Sequence, residues 1–335
     1  MALLNPHNQF YQKTDILERL LEFLKNKKGY VPADEISHHL NISRQALLQH
    51  INDLREAGYN IVAVPHLGYR MESLPDRMFP FEVEKGLNTK IIGRKIYYLE
   101  RCSSTMDIAM QLVCDNPAEG TLILTEAQTK GRGRLGRHWV SPKYKGIYFS
   151  LMLKPKVPPA QTAVLTLLAA VSVCEAVKTV TDITCSIKWP NDILVNNRKL
   201  GGILTELEAE LDRVNFVIIG IGLNVNNEPQ ELLRNAISLK VASPSHEKID
   251  RLELLREILR KIEDEYLLFQ KKGAGPILDK WKDFNITLGQ RVKISSARVQ
   301  IEGQAVDIDS DGGLLVRKDS GALQKFMSGD VVHLR

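Results

Sequence analysis

Cysteine is scarce in this chain, and what there is does not pair in sequence. Cys102, Cys114, Cys174 and Cys185 are the four in 335 residues, and none stands in a C-x-x-C spacing. That argues against a disulfide scaffold or a zinc ribbon and for free thiols in a reducing cytoplasm. The eight histidines form no H-E-x-x-H and no Cys/His cluster, so a zinc-type centre is not expected. The opening MALLNPHNQF has neither the basic region nor the apolar core of a secretory signal. The longest apolar run, AVLTLLAAVSVCEAV at 163–177, is short for a bilayer and contains Glu175. It reads as a buried helix, and no membrane partner is expected. Internal repeats and low-complexity tracts are also missing.

What is present is an ordinary globular composition, 44% hydrophobic and 25% charged, with a mildly basic net charge of +5. The length suggests two or three domains. Residues 14–71 read as three helices and a hairpin. Thr14 is placed to cap a helix striped by Ile16, Leu17, Leu20, Leu21 and Leu24. ADEISHHL follows as a short second helix. Ser43 then caps a third helix, with Leu47, Ile51 and Leu54 on one face and Gly58 at its end. YNIVAV and YRM flank a turn at Pro65 to Gly68, completing the order of a winged helix-turn-helix. Opposite the apolar stripe of the third helix lie Gln45, Gln49 and Asn52, residues suited to reading adenine. Ser43, Arg44 and His50 are candidate phosphate or base-edge contacts. From Lys13 to Glu72 eight basic residues are balanced by eight acids, so the region lacks a basic footprint and a monomer should bind DNA weakly.

SLPDRMFP marks a linker. From about 81 to 285, strand candidates (96–99, 121–127, 147–153, 183–188, 193–195, 200–208 and 214–224) alternate with helices at 105–115, 160–180 and 250–271. Short turns such as Asn196-Asn197 favour a mixed sheet. The last segment is all short strands with Gly/Asp/Ser turns, the pattern of a small barrel. The fold class is α+β, with boundaries expected at 1–75, 76–286 and 287–335.

Residues 131–136 spell G-x-G-x-x-G, the letters of a dinucleotide-binding loop. The physical context is wrong for one: no helix follows, and no acid lies between Glu126 and Glu175 to hold a ribose. What remains is a glycine-rich loop bearing Lys130, Arg132, Arg134 and Arg137. Glycine permits close backbone approach, and arginine forks suit phosphate or carboxylate. Empty, such a loop should repel itself, stay mobile and order on an anion; a solvated loop with loose RNA affinity is the bland alternative. Lys188 and Asp192 in SIKWPND suit a phosphate and Mg²⁺, or merely end a strand. Lys199 in NNRKLGGILTE enters a strand beside Gly201 and Gly202, or is simply solvated. Gly220 and Gly222 in IGIGLNV sit inside a strand, where a ligand or tight sheet packing must explain them.

In this order, GRGRLGRHWVSP, KWPND, KLGGILTE and IGIGLNV resemble the biotin protein ligases, over nearly the whole chain. With the winged helix ahead of them, the likeness is to the bifunctional bacterial type that also represses the biotin operon. The resemblance implies a class II synthetase-like ligase domain and an SH3-like C-terminal barrel. It implies ATP, Mg²⁺ and biotin, joined to biotinyl-5′-adenylate, with transfer to a lysine of biotin carboxyl carrier protein. Ser104, Thr105, Met106, Gln128, Arg132, Gly133, Arg134, Lys199, Gly202 and Gly220 would line the biotin site. Arg134, Arg137, Trp139, Lys188, Asn191, Asp192, Lys199 and Asn224 would serve ATP, with Asp192 also facing the metal; Trp139 would cover the ligand or belong to the core. Arg132, Arg134, Lys188 and Lys199 are the catalytic candidates, because a carboxylate must meet a triphosphate. Many members carry asparagine where this chain has Met106, which removes one amide contact. The resemblance also implies a homodimer formed on the adenylate and bound to two-fold operator DNA. A ligand-sensing transcription factor without catalysis and a lipoyl ligase are the competing readings.

Overall fold

The computed structural model describes residues 14–73, 75–210, 213–295 and 300–334. They form two compact units, Met1–Asp76 and Arg77–Arg335. The stretch read for a secretory signal lies outside the described residues, as does the side chain of Thr14.

In the first unit, α1 (Thr14–Lys25), α2 (Ala33–Leu40) and α3 (Arg44–Glu56) bury the expected stripes. Leu17, Leu20, Leu21 and Leu24 meet Ile36, Leu40, Leu47, Ile51 and Leu54, all at most 2% exposed. Asn41 ends α2 in the left-handed conformation, which an asparagine tolerates. Ser43 Oγ accepts from Ala46 N at 3.1 Å and starts α3. The wing is an antiparallel hairpin of β1 (Asn60–Val64) and β2 (Gly68–Ser73). Gly68 is obligatory: its φ is +102°, and a Cβ there would lie 1.9 Å from the carbonyl oxygen of Val31.

The second unit is built on a seven-stranded sheet. In chain order come α4 (Pro80–Glu84), β3 (Ile96–Leu99), α5 (Thr105–Leu112), β4 (Thr121–Thr125), β5 (Gly146–Leu153), α6 (Thr162–Thr181), β6 (Ser186–Lys188), β7 (Asp192–Val195), β8 (Arg198–Glu210), β9 (Arg213–Asn224), α7 (Leu239–Ala242), α8 (Arg251–Lys272) and α9 (Gly275–Phe284). The strand order is β3-β4-β5-β9-β8-β7-β6, with β3 and β4 parallel and the other neighbours antiparallel. This is the mixed sheet that the short turns anticipated. The helices α4, α7 and α9 were not anticipated. The signal for α9 is legible afterwards, as Pro276 in its first turn and a buried stripe of Ile277, Leu278 and Trp281.

The helix carrying the 163–177 run is not too short for a bilayer, contrary to expectation. The helix extends beyond the apolar run, and the segment Pro159–Thr181 is long and apolar enough to cross a membrane. Burial is the better argument: 67% of its apolar window is covered, and α6 packs against α8 and the sheet. An all-round apolar helix is what a position between two layers requires.

The C-terminal segment forms a second sheet of β10 (Arg291–Ser295), β11 (Gln300–Ile308), β12 (Leu314–Arg317), β13 (Leu323–Phe326) and β14 (Asp330–His333). All pairs are antiparallel, in the order β13-β12-β11-β10-β14. This sheet lies within the second compact unit. Val292, Ile294, Leu314 and Val316 share one core with Leu167 and Trp189. Trp189 Nε1 donates to the Gly312 carbonyl at 3.1 Å, and Trp189 N donates to Thr287 Oγ1 at 3.0 Å.

Candidate active site

The sheet leaves a pocket of about 370 Å³, roofed by residues 132–139 and walled by the turn after β6 and the start of β14. Its floor is glycine. A Cβ at Gly220 would sit 2.6 Å from Met106 Sδ, and one at Gly222 would sit 2.5 Å from Trp139 Nε1. Side chains therefore explain these two glycines. Met106 and Trp139 rest directly on the strand, and any larger residue would displace them.

The basic segment is a hairpin. Arg132 bridges to His138, Trp139 N donates to Gly131 O at 2.9 Å, and Gly133 N donates to Arg137 O at 2.7 Å. Leu135 (φ +55°) and Gly136 (φ +73°) turn the tip. Gly131 is forced by closeness, since a Cβ would fall 2.5 Å from Trp139 O. The hairpin's root is fixed by a buried ion pair. Glu126 and Arg251 are both 0% exposed and 2.8 Å apart. Glu126 also accepts from Met78 N, and Arg251 also donates to Gly146 O, each at 2.9 Å.

The expectation that this segment repels itself is corrected by its partners. Arg132 lies 2.9 Å from both Asp107 and Glu206. Arg137 pairs with Asp330. Arg134 donates to Asn191 Oδ1 at 2.9 Å and to Gly329 O at 3.4 Å. Burial pushes the Arg134 guanidinium below its usual value, while Asp330 and Asp192 oppose the shift. Each arginine of the hairpin thus already faces an oxygen from elsewhere in the chain.

At the inner end, Thr105 N donates to Gln128 Oε1 at 2.9 Å, and Gln128 Nε2 donates to Ser141 Oγ at 3.0 Å. Ser150 Oγ donates to Thr105 Oγ1 at 2.8 Å. Ser104 Oγ and Trp139 Nε1 are buried without a partner. Orphaned polar atoms facing a cavity suit a ligand with complementary donors and acceptors. Toward the outer end, Lys199 Nζ is 2.5 Å from Asp192 Oδ1 and 5.8 Å from the Trp139 ring centre. Lys188 lines the same wall. Burial lowers its pKa from the usual lysine value, and the Lys199 charge acts in the same direction.

Every expected ligand-site residue except Asn224 lines this pocket. Asn224 is 5% exposed and donates to the Ile237 carbonyl at 3.3 Å, which places it in the scaffold. His138, Leu204, Leu233, Gly329 and the β14 residues Asp330, Val331 and Val332 also line it and were not expected from the sequence. The only local sign of that wall is the turn SGD ahead of a short strand. Among the described residues no three His, Cys, Asp or Glu gather for a metal, and Asp192 is engaged with Lys199.

On α3, Gln45, Gln49 and Asn52 are exposed as expected. Ser43 Oγ is used as the cap, Arg44 pairs with Asp34, and His50 Nδ1 lies 3.8 Å from Asp53. An incoming phosphate would have to draw Arg44 away from that aspartate.

The Biotin/lipoate A/B protein ligase family matches residues 98–224, an HTH domain matches 16–70, and the Biotin protein ligase C terminal domain matches 287–334. The bifunctional ligase/repressor BirA of Bacillus spizizenii is 40% identical over 306 residues, spanning 90% of this chain and 93% of that protein. This chain belongs to the biotin protein ligase family, in its bifunctional ligase/repressor branch. The Escherichia coli BirA is 29% identical over 320 residues, covering 93% of this chain and 95% of its own. Among solved structures, the Aquifex aeolicus biotin protein ligase in complex with biotin and ATP superposes with a TM-score of 0.61 at 32% identity, over 72% of this chain and 99% of that one. The family assignment accounts for the three matched regions standing in this order in one chain.

Proposed function

We propose that this chain is an ATP-dependent biotin protein ligase that also acts as a biotin-responsive repressor. The observation that carries the ligase reading is the pocket, with orphaned polar atoms at one end, converging cations at the other and a basic hairpin above. The ureido ring of biotin occupies the end of Ser104, Thr105 and Gln128, where its donors and acceptors find partners. Its carboxylate runs toward Lys199. The α-phosphate of ATP lies among Arg134, Lys188 and Lys199, with Arg137 and Asn191 on the phosphate side. Fixed positive charge lets two anions approach. The carboxylate oxygen attacks the α-phosphorus, the bond to the bridging oxygen of the β-phosphate breaks, and pyrophosphate leaves with that electron pair. The ligands replace the oxygens now facing these arginines, those of Asn191 and Gly329 at Arg134 and of Asp330 at Arg137. The closed hairpin then shields the mixed anhydride from water. In the second half-reaction, the amine of a carrier lysine attacks the acyl carbon, the acyl–phosphate bond breaks, and AMP departs.

Gln45, Gln49 and Asn52 of α3 meet operator DNA, and a homodimer doubles that weak contact. The hairpin is the coupling element, because exchanging its present partners for the adenylate fixes it and pre-organises the dimer surface. With Cys102, Cys174 and Cys185 buried as free thiols and Cys114 exposed, the chain suits a reducing cytoplasm. A domain that only senses biotin has no need of this many cations. The test is mass spectrometry of a biotin carboxyl carrier domain incubated with the chain, biotin and Mg-ATP. One biotinyl adduct on one lysine is expected, with pyrophosphate release that requires biotin. Absence of that release would leave only a sensor, and better turnover of lipoate would make it a lipoyl ligase.

A further inference from the structure

Arg251 is the first residue of α8, and among the described residues none of α8 lines the active-site pocket. Its side chain is nevertheless fully buried, where a charge is costly unless it is answered. The guanidinium spans the two legs of the segment that carries the basic hairpin. Nη1 donates to Glu126 Oε2 at 2.8 Å on the ingoing leg and to the Gly146 carbonyl at 2.9 Å on the outgoing leg. The backbone closes the same gap, with Tyr144 N donating to the Glu126 carbonyl at 3.3 Å. The other oxygen of Glu126 accepts from Met78 N at 2.9 Å and from the Tyr98 hydroxyl at 3.3 Å.

Arg251 is itself fixed from behind. Asp250 Oδ1 caps α8 by accepting from Glu253 N at 3.0 Å. The Asn226 amide exchanges two hydrogen bonds with the backbone of Ile249, each 2.9 Å, and Asn226 N donates to the Lys145 carbonyl at 2.6 Å. A buried ion pair is weak evidence for stability, because apolar residues of similar volume often stabilise as well. What this pair fixes is the spacing of the two legs. Two residues beyond Glu126 stands Gln128, whose amide holds Thr105 N and Ser141 Oγ. The tip of the hairpin is held separately, by Asn191, Gly329 and Asp330. We propose that Arg251, acting through Glu126, is a positioning residue for biotin: the clasp sets where Gln128 and Thr105 meet the ureido ring. The nucleotide end draws on Lys188, Asn191 and Lys199, none of which belongs to either leg, and is spared. The inference rests on the ligase reading above.

The test is isothermal titration calorimetry of biotin with the full chain, together with steady-state pyrophosphate release. Two variants are compared with the parent. In Glu126→Gln, Arg251→Met both charges go together, so no bare ion is left in the core, and the new amide can still accept from Met78 N. In Arg251→Lys the charge stays, but the side chain ends about one bond, ~1.3 Å, short and reaches one leg only. Each variant should bind biotin about 10- to 100-fold more weakly, up to the loss that ~1 Å of misplacement brings. The KM for biotin should rise in parallel, while kcat and the KM for ATP stay within about threefold. A merely structural role would lower the fraction of binding-competent molecules and leave the affinity of the rest unchanged; that result overturns the inference. Equal losses for biotin and ATP refute the assignment to the biotin end. If the double variant does not melt cooperatively, Arg251→Lys decides, and failure of both to fold makes the pair a requirement of the fold and refutes the proposal. An unaltered chain that neither binds biotin nor releases pyrophosphate removes the ligase reading, and the inference with it.

Discussion

Gly222→Ala isolates the fit between the glycine floor and the hairpin. The new Cβ would stand 2.5 Å from Trp139 Nε1, 2.6 Å from Cε2 and 3.0 Å from Cδ1. Ordinary carbon contacts begin near 3.4 Å, so the indole must retreat by about 1 Å. Trp139 is only partly buried and belongs to a hairpin, so it can lift rather than strain the sheet. The stability loss should therefore stay at or below the ~1 kcal/mol lower end of overpacking. Catalysis should suffer more, because Lys199 stands 5.8 Å from the same ring and Arg134 and Arg137 share the displaced hairpin. A shift of about 1 Å in a positioned group slows a reaction by about 100-fold, equivalent to ~2.7 kcal/mol of barrier. Biotin-dependent pyrophosphate release measures the rate, and thermal denaturation measures the stability. The same substitution in a Trp139→Ala background should change the rate by less than about twofold, because the colliding ring is gone and the two effects are not additive. Full activity in Gly222→Ala, or an equal slowing with and without the indole, would refute the steric argument.

Lys199→Ala should slow adenylation by about two to three orders of magnitude, the scale of one well-placed electrostatic donor; an unaffected rate in single-turnover formation of biotinyl-5′-adenylate would make Lys199 a bystander. Arg134→Gly should release trapped adenylate about 10- to 100-fold faster, the equivalent of one charged hydrogen bond of ~1.5–3 kcal/mol, with little change in melting temperature. Equal leakage from variant and parent, followed with radiolabelled adenylate, would remove this arginine from the lid. Gly68→Ala should unfold the helix-turn-helix unit, because the methyl would meet Val31 O at 1.9 Å at a φ of +102° and must cost more than the usual ~1–3 kcal/mol of overpacking. DNA binding should vanish while pyrophosphate release continues, and a cooperative melt of the first unit at its original temperature would contradict the assignment of this glycine.

Much of this protein is written locally. The three helices and wing of the first unit follow from apolar residues at helical spacing, a serine cap and a glycine turn, all of which act within a few residues. The chemistry of residues 128–142 is equally local, because arginine and glycine content states what the segment can bind before its shape is known. The Lys199–Asp192 contact is also close in sequence, the two residues lying seven apart across a hairpin. Only the tertiary structure decided which acids answer which bases. Arg132 meets Glu206 from 74 residues away, and Arg137 meets Asp330 from 193 residues away. It also decided that the C-terminal sheet walls the pocket and shares the central core, and that Asn224 serves the scaffold. Coulomb attraction and packing depend on separation in space, which a folded chain sets independently of separation along it.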